Sequence, residues 1–149
     1  TIDSAAYSLW AFGAIEPENE KVQATMKKIR EKLRVDTEIG GIARYQSDNY
    51  QRVTETSDKI PGNPWIICTL WLAQYDIAMA KNANELSRVQ DIFKWVCSRS
   101  SQSGVLPEQV HPLTGKPISV SPLAWSHAEV VRTVLEYLEK WRQLSGKNN

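Results

Sequence analysis

One arrangement occurs twice in this chain, and it limits the possible folds more than any other feature. A helix with a single apolar stripe ends at Gly40-Gly41, and Ile42-Ala43-Arg44 leads through a long loop to Asn63-Pro64-Trp65 and a more apolar helix. Further on, another one-stripe helix ends near Ser103-Gly104. Val105-Leu106-Pro107-Glu108 then leads through a loop to Ser121-Pro122-Leu123-Ala124-Trp125 and a further helix. Each unit is an outer helix, a loop, and an inner helix that opens with proline and tryptophan. Proline suits a first helical turn because it has no N–H to leave unpaired there. Repeated pairs that alternate half-exposed and mostly buried helices point to an αα-toroid, an inner ring of helices within an outer one. The repeat also sets Arg44 and Glu108 on loops at the same end of the inner helices, beside Trp65 and Trp125.

Five helical segments are expected. The first, 3–12, has Asp3 or Ser4 as its cap and Gly13 as its stop. The second, 17–33, carries Val22, Met26, Ile29 and Leu33 on one stripe, while Lys27, Lys28, Arg30 and Lys32 form a solvated outer face. The third, 64–80, is apolar almost all round and should be buried on most sides. The fourth, 85–98, returns to one stripe with Leu86, Val89, Ile92, Phe93 and Val96. The fifth, 122–144, starts apolar and becomes amphipathic, and with the third it should be the more buried. No pair of alternating strands stands out, so an all-α chain is expected. The runs 41–45 and 105–109 read as extended at most, each bounded by loop residues.

The 149 residues suffice for one domain with a real core and fall short of two. A formal charge of +1 gives no electrostatic case for nucleic acid or an anionic membrane, whereas a neutral partner such as a sugar fits it. The longest apolar run, 65–80, would span ~24 Å as a helix, less than the ~30 Å of a hydrocarbon core. Cys68 and Cys97 lie in apolar helical stretches without CxxC spacing and read as buried free thiols. With His111 and His127 as the only histidines, no metal site is expected. The chain begins at Thr1 without an initiator Met and reads as a segment of something longer. No leader or lipidation motif is visible, and a cytoplasmic location is the expectation.

Five blocks carry a family resemblance: Gly41-Ile42-Ala43-Arg44-Tyr45, Asp48-x-Tyr50, Gly62-Asn63-Pro64-Trp65-Ile66-Ile67-Cys68-Thr69-Leu70, Leu106-Pro107-Glu108-Gln109, and Ser121-Pro122-Leu123-Ala124-Trp125-Ser126-His127-Ala128. In this order they resemble glycoside hydrolase family 15, the glucoamylases and their prokaryotic relatives. The resemblance implies an (α/α)6 barrel, of whose twelve helices this chain supplies about five, as the C-terminal part of a single catalytic domain. It implies hydrolysis of terminal α-linked glucose with inversion by two glutamates. The base matches Glu108, and the acid lies upstream without a counterpart here. The remainder of the domain, N-terminal to Thr1, is then a required partner. No cofactor is implied, because paired carboxylates need none.

An inverting glycosidase needs an ionised carboxylate to activate water on one face of the sugar, and Pro107 stiffens the approach to Glu108. By resemblance Arg44 binds the glucose at the cleavage point; its planar fork of donors suits two hydroxyls at once. Asp48 and Tyr50 join it as candidate substrate-binding residues, although Asp48 is equally an ion-pair partner for Arg44 and Tyr50 equally a structural tyrosine. Trp65 and Trp125 offer flat faces to sugar C–H surfaces, with core packing at a helix start as the other reading. Gln109 and His127 are expected to hold loop and helix in place by hydrogen bonds. Trp10, Trp71, Trp95 and Trp141 read as core, and the 52–59 run covers the mouth or is a surface excursion. The alternative to an enzyme is a non-catalytic glucoamylase-like domain serving regulation or protein contact. A partial ring would also leave raw edges, with Trp10 and Phe12 on one and Val131, Leu135, Leu138 and Trp141 on the other. The isolated chain is therefore expected to self-associate, or to close its own edges by moving a terminal helix.

Overall fold

A computed structural model of the chain describes residues 1–146. Its helices are α1 (Ser8–Ala11, preceded by a 3-10 turn at Ser4–Tyr7), α2 (Glu20–Leu33), α3 (Ile66–Met79), α4 (Ala83–Ser87), α5 (Gln90–Arg99) and α6 (Ala124–Leu144). The second expected helix begins at Glu20 rather than at 17, because the Asn19 side chain caps it by accepting from Lys21 N at 2.9 Å. Its stripe of Val22, Met26, Ile29 and Leu33 is fully buried, packed with Ile67, Cys68, Trp71 and Tyr75 of α3. The fourth expected helix is present as two pieces. Between α4 and α5, Arg88 N, Val89 N and Asp91 N bond three residues back, so the helix tightens there while its apolar stripe runs on. Among the described residues no helix is long and apolar enough to cross a membrane.

α3 is the axis of the fold: Ile66 to Tyr75 are buried without exception. The fifth expected helix corrects the reading. It is not among the more buried helices: its buried residues are Ser126, Glu129 and Thr133, a polar stripe at 3–4 spacing that faces α3, while Val131, Leu135 and Leu138 are exposed, as the raw edge of a partial ring has them. The reason lies on α3, where Gln74 is a fully buried polar side chain and needs polar neighbours. The expectation for Cys97 is likewise corrected. Cys68 is a buried free thiol, but Cys97 is a free thiol on the exposed side of α5.

The all-α expectation missed a small sheet. β1 (Ile42–Ala43), β2 (Pro64–Trp65), β3 (Gln109–Val110) and β4 (Pro117–Ile118) pair antiparallel in the order β1-β2-β3-β4. Ile42 sits opposite Trp65, and Trp65 opposite Gln109. Pro64 and Trp65 are therefore strand residues, not the first helical turn. At the second repeat, Leu123 is also extended and donates to Leu106 O at 3.0 Å, which delays α6 to Ala124. β2 runs straight into α3, so the sheet caps the N-terminal ends of α3 and α6. The helical architecture, with its outer and inner elements, is that of a partial α/α toroid.

Candidate active site

The sheet determines where the site residues stand. Arg44 leaves β1 and Glu108 enters β3, on either side of β2 and Trp65. Glu108 O accepts from Ile66 N at 3.1 Å, which ties the Glu108 backbone to the first turn of α3. α6 holds the approach from the other side: Ser126 Oγ donates to Pro107 O at 2.8 Å, and Leu106 N donates to His127 Nε2 at 3.1 Å. His127 thus fixes the loop, and with Nε2 accepting, its proton sits on Nδ1.

The Glu108 carboxylate is partly buried and held through one oxygen. Gln109 Nε2 donates to Oε2 at 3.0 Å and Ser119 Oγ donates to the same atom at 2.5 Å. Oε1 accepts no hydrogen bond from the described residues, so the constrained oxygen orients the free one. Gln109 is fully buried and is itself fixed by Asn63, whose Nδ2 donates to Gln109 Oε1 at 2.9 Å and to Gln51 O at 2.8 Å. Ser119 holds a left-handed backbone, φ 63°, as do Ser47 at 60° and Gln51 at 54°. Ser47 and Gln51 flank Asp48 and Tyr50, and Ser119 itself bonds Glu108, so backbone strain accompanies both halves of the site.

Arg44 is organised as firmly. Its Nε and Nη2 donate to the two carboxylate oxygens of Asp48, both at 2.8 Å, and Tyr50 N adds a third donor at 2.9 Å. Burial works against the guanidinium charge, but the Asp48 hydrogen bonds and charge outweigh it and raise the Arg44 pKa further above its ordinary value. The guanidinium carbon lies 4.5 Å from the Trp65 ring centroid, 4.8 Å from Tyr45 and 5.3 Å from Tyr50. These rings supply cation–π support around it.

Two expected sugar contacts change role in this geometry. Asp48 is 2% exposed with its oxygens engaged, so it positions Arg44 and is not open to a ligand. Trp65 is 4% exposed, lies between two strands and carries Arg44 on its face, so it supports the arginine. Tyr50 remains exposed, its ring 6.0 Å from Trp65. Trp125, on the first turn of α6, is 50% exposed and rests against Trp71 with ring centroids 5.8 Å apart. Its N–H is already committed, donating to Glu129 Oε1 at 3.1 Å. Ser119 and Glu129 were not singled out from the sequence. Nothing local marks Ser119, while Glu129 shows only as the residue four after Trp125. Among the described residues no three His, Cys, Asp or Glu side chains gather to hold a metal ion.

The profile of glycosyl hydrolases family 15 matches residues 2–135, nearly the whole chain. The chain belongs to this family. An uncharacterised glycosyl hydrolase of Methanocaldococcus jannaschii is 34% identical over 146 residues, covering 91% of this chain and 22% of the relative. A glucoamylase of a Clostridium species is 30% identical over 135 residues, covering 87% of this chain and 18% of its own length. A bacterial glucoamylase solved in complex with acarbose superposes with a TM-score of 0.77 at 28% identity, over 93% of this chain and 20% of that one. This family 15 chain therefore spans about a fifth of the length of the relatives it matches.

Proposed function

We propose that this chain is the C-terminal part of the catalytic domain of an inverting, exo-acting α-glucosidase of glucoamylase type, with Glu108 as general base. One observation carries the reading: two donors fix Glu108 Oε2, and Oε1 is left for a proton from water. In the reaction, Oε1 takes that proton as the water oxygen attacks the anomeric carbon of a terminal glucose. The bond from that carbon to the leaving oxygen breaks, and an acid on the opposite face, supplied by residues upstream of Thr1, protonates the leaving oxygen. Arg44 holds the sugar hydroxyls at the cleavage point, with Asp48 and the ring cluster keeping its fork in place. Trp125 gives its exposed face to the sugar, and Tyr50 edges the site. The fold likeness to a glucoamylase bound to acarbose supports a carbohydrate ligand. The exposed apolar face of α6, with Val131, Leu135 and Leu138, is the seam for the rest of the domain, and the isolated chain self-associates through it.

The stereochemistry tests the reading. Full-length enzyme acting on maltotriose, followed by proton NMR within the first minutes, is expected to release β-glucose before mutarotation mixes the anomers. Release of α-glucose first, or no release of glucose, would overturn it.

A further inference from the structure

α6 packs on α3 through a stripe that a helix–helix contact does not require to be polar. Ser126, Glu129 and Thr133 are buried there while the apolar residues of α6 turn outward. Burying a carboxylate is costly unless its oxygens are satisfied, and both oxygens of Glu129 are. Gln74 Nε2, reaching from the middle of α3, donates to Glu129 Oε2 at 2.7 Å and to Thr133 Oγ1 at 2.9 Å. Thr133 Oγ1 in turn donates to the Glu129 carbonyl at 2.6 Å. Glu129 Oε1 is used for one thing only, the N–H of Trp125 one helical turn earlier.

A contact between two helices could be made by Gln74 and Thr133 alone, with an aliphatic side chain at position 129. What the carboxylate adds is a rigid link from the core to a half-exposed indole. We infer that Glu129 is a positioning residue that sets the angle of the Trp125 ring, so that the open face, not the N–H edge, meets the sugar. This rests on the reading of Trp125 as a sugar contact. The indole is held at two points: its N–H by Glu129 and one side by the Trp71 ring, 5.8 Å away and tilted by 57°. With both fixed, the two side-chain torsions of Trp125 are set before a ligand arrives, and binding does not have to order them. The indole N–H is withheld from the ligand. Trp125 therefore selects by stacking on the C–H face of a pyranose and not by hydrogen bonding to a hydroxyl.

The test is a double-mutant cycle in the full-length enzyme with maltotriose as substrate. Glu129→Leu, which removes the acceptor, is expected to raise KM about tenfold with a smaller effect on kcat, the size of a lost stacking contact. In a Trp125→Phe background, which has no indole N–H to hold, the same change is expected to raise KM by less than about twofold. Glu129→Gln keeps an acceptor for the indole. Its new amide can donate to Gln74 Oε1 once the Gln74 amide turns over, with Thr133 Oγ1 then donating to the same oxygen in place of the carbonyl of residue 129. That variant is expected within about twofold of the parent. Glu129→Met, which keeps the side-chain length without the acceptors, serves if the Leu variant does not fold. An equal rise in KM in both backgrounds, or no rise in the parent, overturns the inference while leaving Trp125 a sugar contact. If Trp125→Phe alone changes neither KM nor kcat, the reading of Trp125 fails and the inference with it.

Discussion

Asp48→Asn separates a residue that holds Arg44 from one that touches sugar. Asp48 is 2% exposed and accepts two hydrogen bonds from Arg44 at 2.8 Å and one from Tyr50 N at 2.9 Å. Asparagine is nearly isosteric, but it loses the charge and turns an NH2 group toward guanidinium donors. Removing one partner of a buried pair costs ~3–5 kcal/mol. The Arg44 side chain is 31% exposed, so water takes up part of the uncompensated charge. About 2–3 kcal/mol remains after that screening. If Arg44 acts on the transition state through this geometry, the loss corresponds to about 30- to 150-fold in kcat/KM. Steady-state kinetics on maltotriose and urea denaturation of the same full-length variant give the two readouts. Both should move: kcat/KM by that factor, and the denaturation midpoint downward. A lower midpoint with unchanged kcat/KM would show that Asp48 is structural only, and unchanged values of both would refute the energetic argument.

Gly41→Ala should destabilise the full-length protein by roughly 2–4 kcal/mol in urea denaturation. Gly41 has φ 91°, and an added Cβ would lie 2.7 Å from both Pro64 Cβ and Trp95 Cζ2. A midpoint equal to the parent's would contradict the close packing of β1 on β2. Exposed Cys97 should be alkylated rapidly at pH 8 and buried Cys68 only after unfolding; equal rates, read by peptide mass spectrometry, would contradict the burial of Cys68. Burial pushes the Cys68 thiol and the Tyr7 hydroxyl each up to about 12. The folded state therefore keeps protons that the unfolded chain releases from about pH 8.5 for cysteine and about pH 10 for tyrosine. This stability is complete at neutral pH and is lost as pH rises toward 12, by at most about 1.4 kcal/mol per unit per group. A denaturation midpoint that stays constant up to pH 11 would refute it.

What the sequence disclosed follows from how far each signal reaches. The stripe of α2 is periodic and α3 is apolar on nearly every side, so both helices and the buried axis were legible. The repeat was legible too, and it set Arg44 and Glu108 at one end of the inner helices. The sheet was not, because its strands are two residues long and show no alternation. The apolar edge of α6 was legible, with Val131, Leu135, Leu138 and Trp141 exposed as a partial ring requires, but the polar face that it buries against α3 was not. One polar side chain on α3, Gln74, decides that packing, and hydrophobic periodicity does not register it. Motif membership marked Asp48 and Trp65 as site residues without saying which way they point, and both stand behind Arg44. Ser119 reaches Glu108 only because a hairpin folds it back with φ 63°, a conformation a serine does not advertise.

The most direct test of the central claim is Glu108→Gln in the full-length enzyme. The change keeps the size of the side chain and its links to the loop, and it removes the charge that accepts the water proton. On maltotriose, kcat is expected to fall by about three orders of magnitude or more, with KM within a few-fold of the parent. Near-normal kcat for that variant would contradict the assignment of Glu108 as the base.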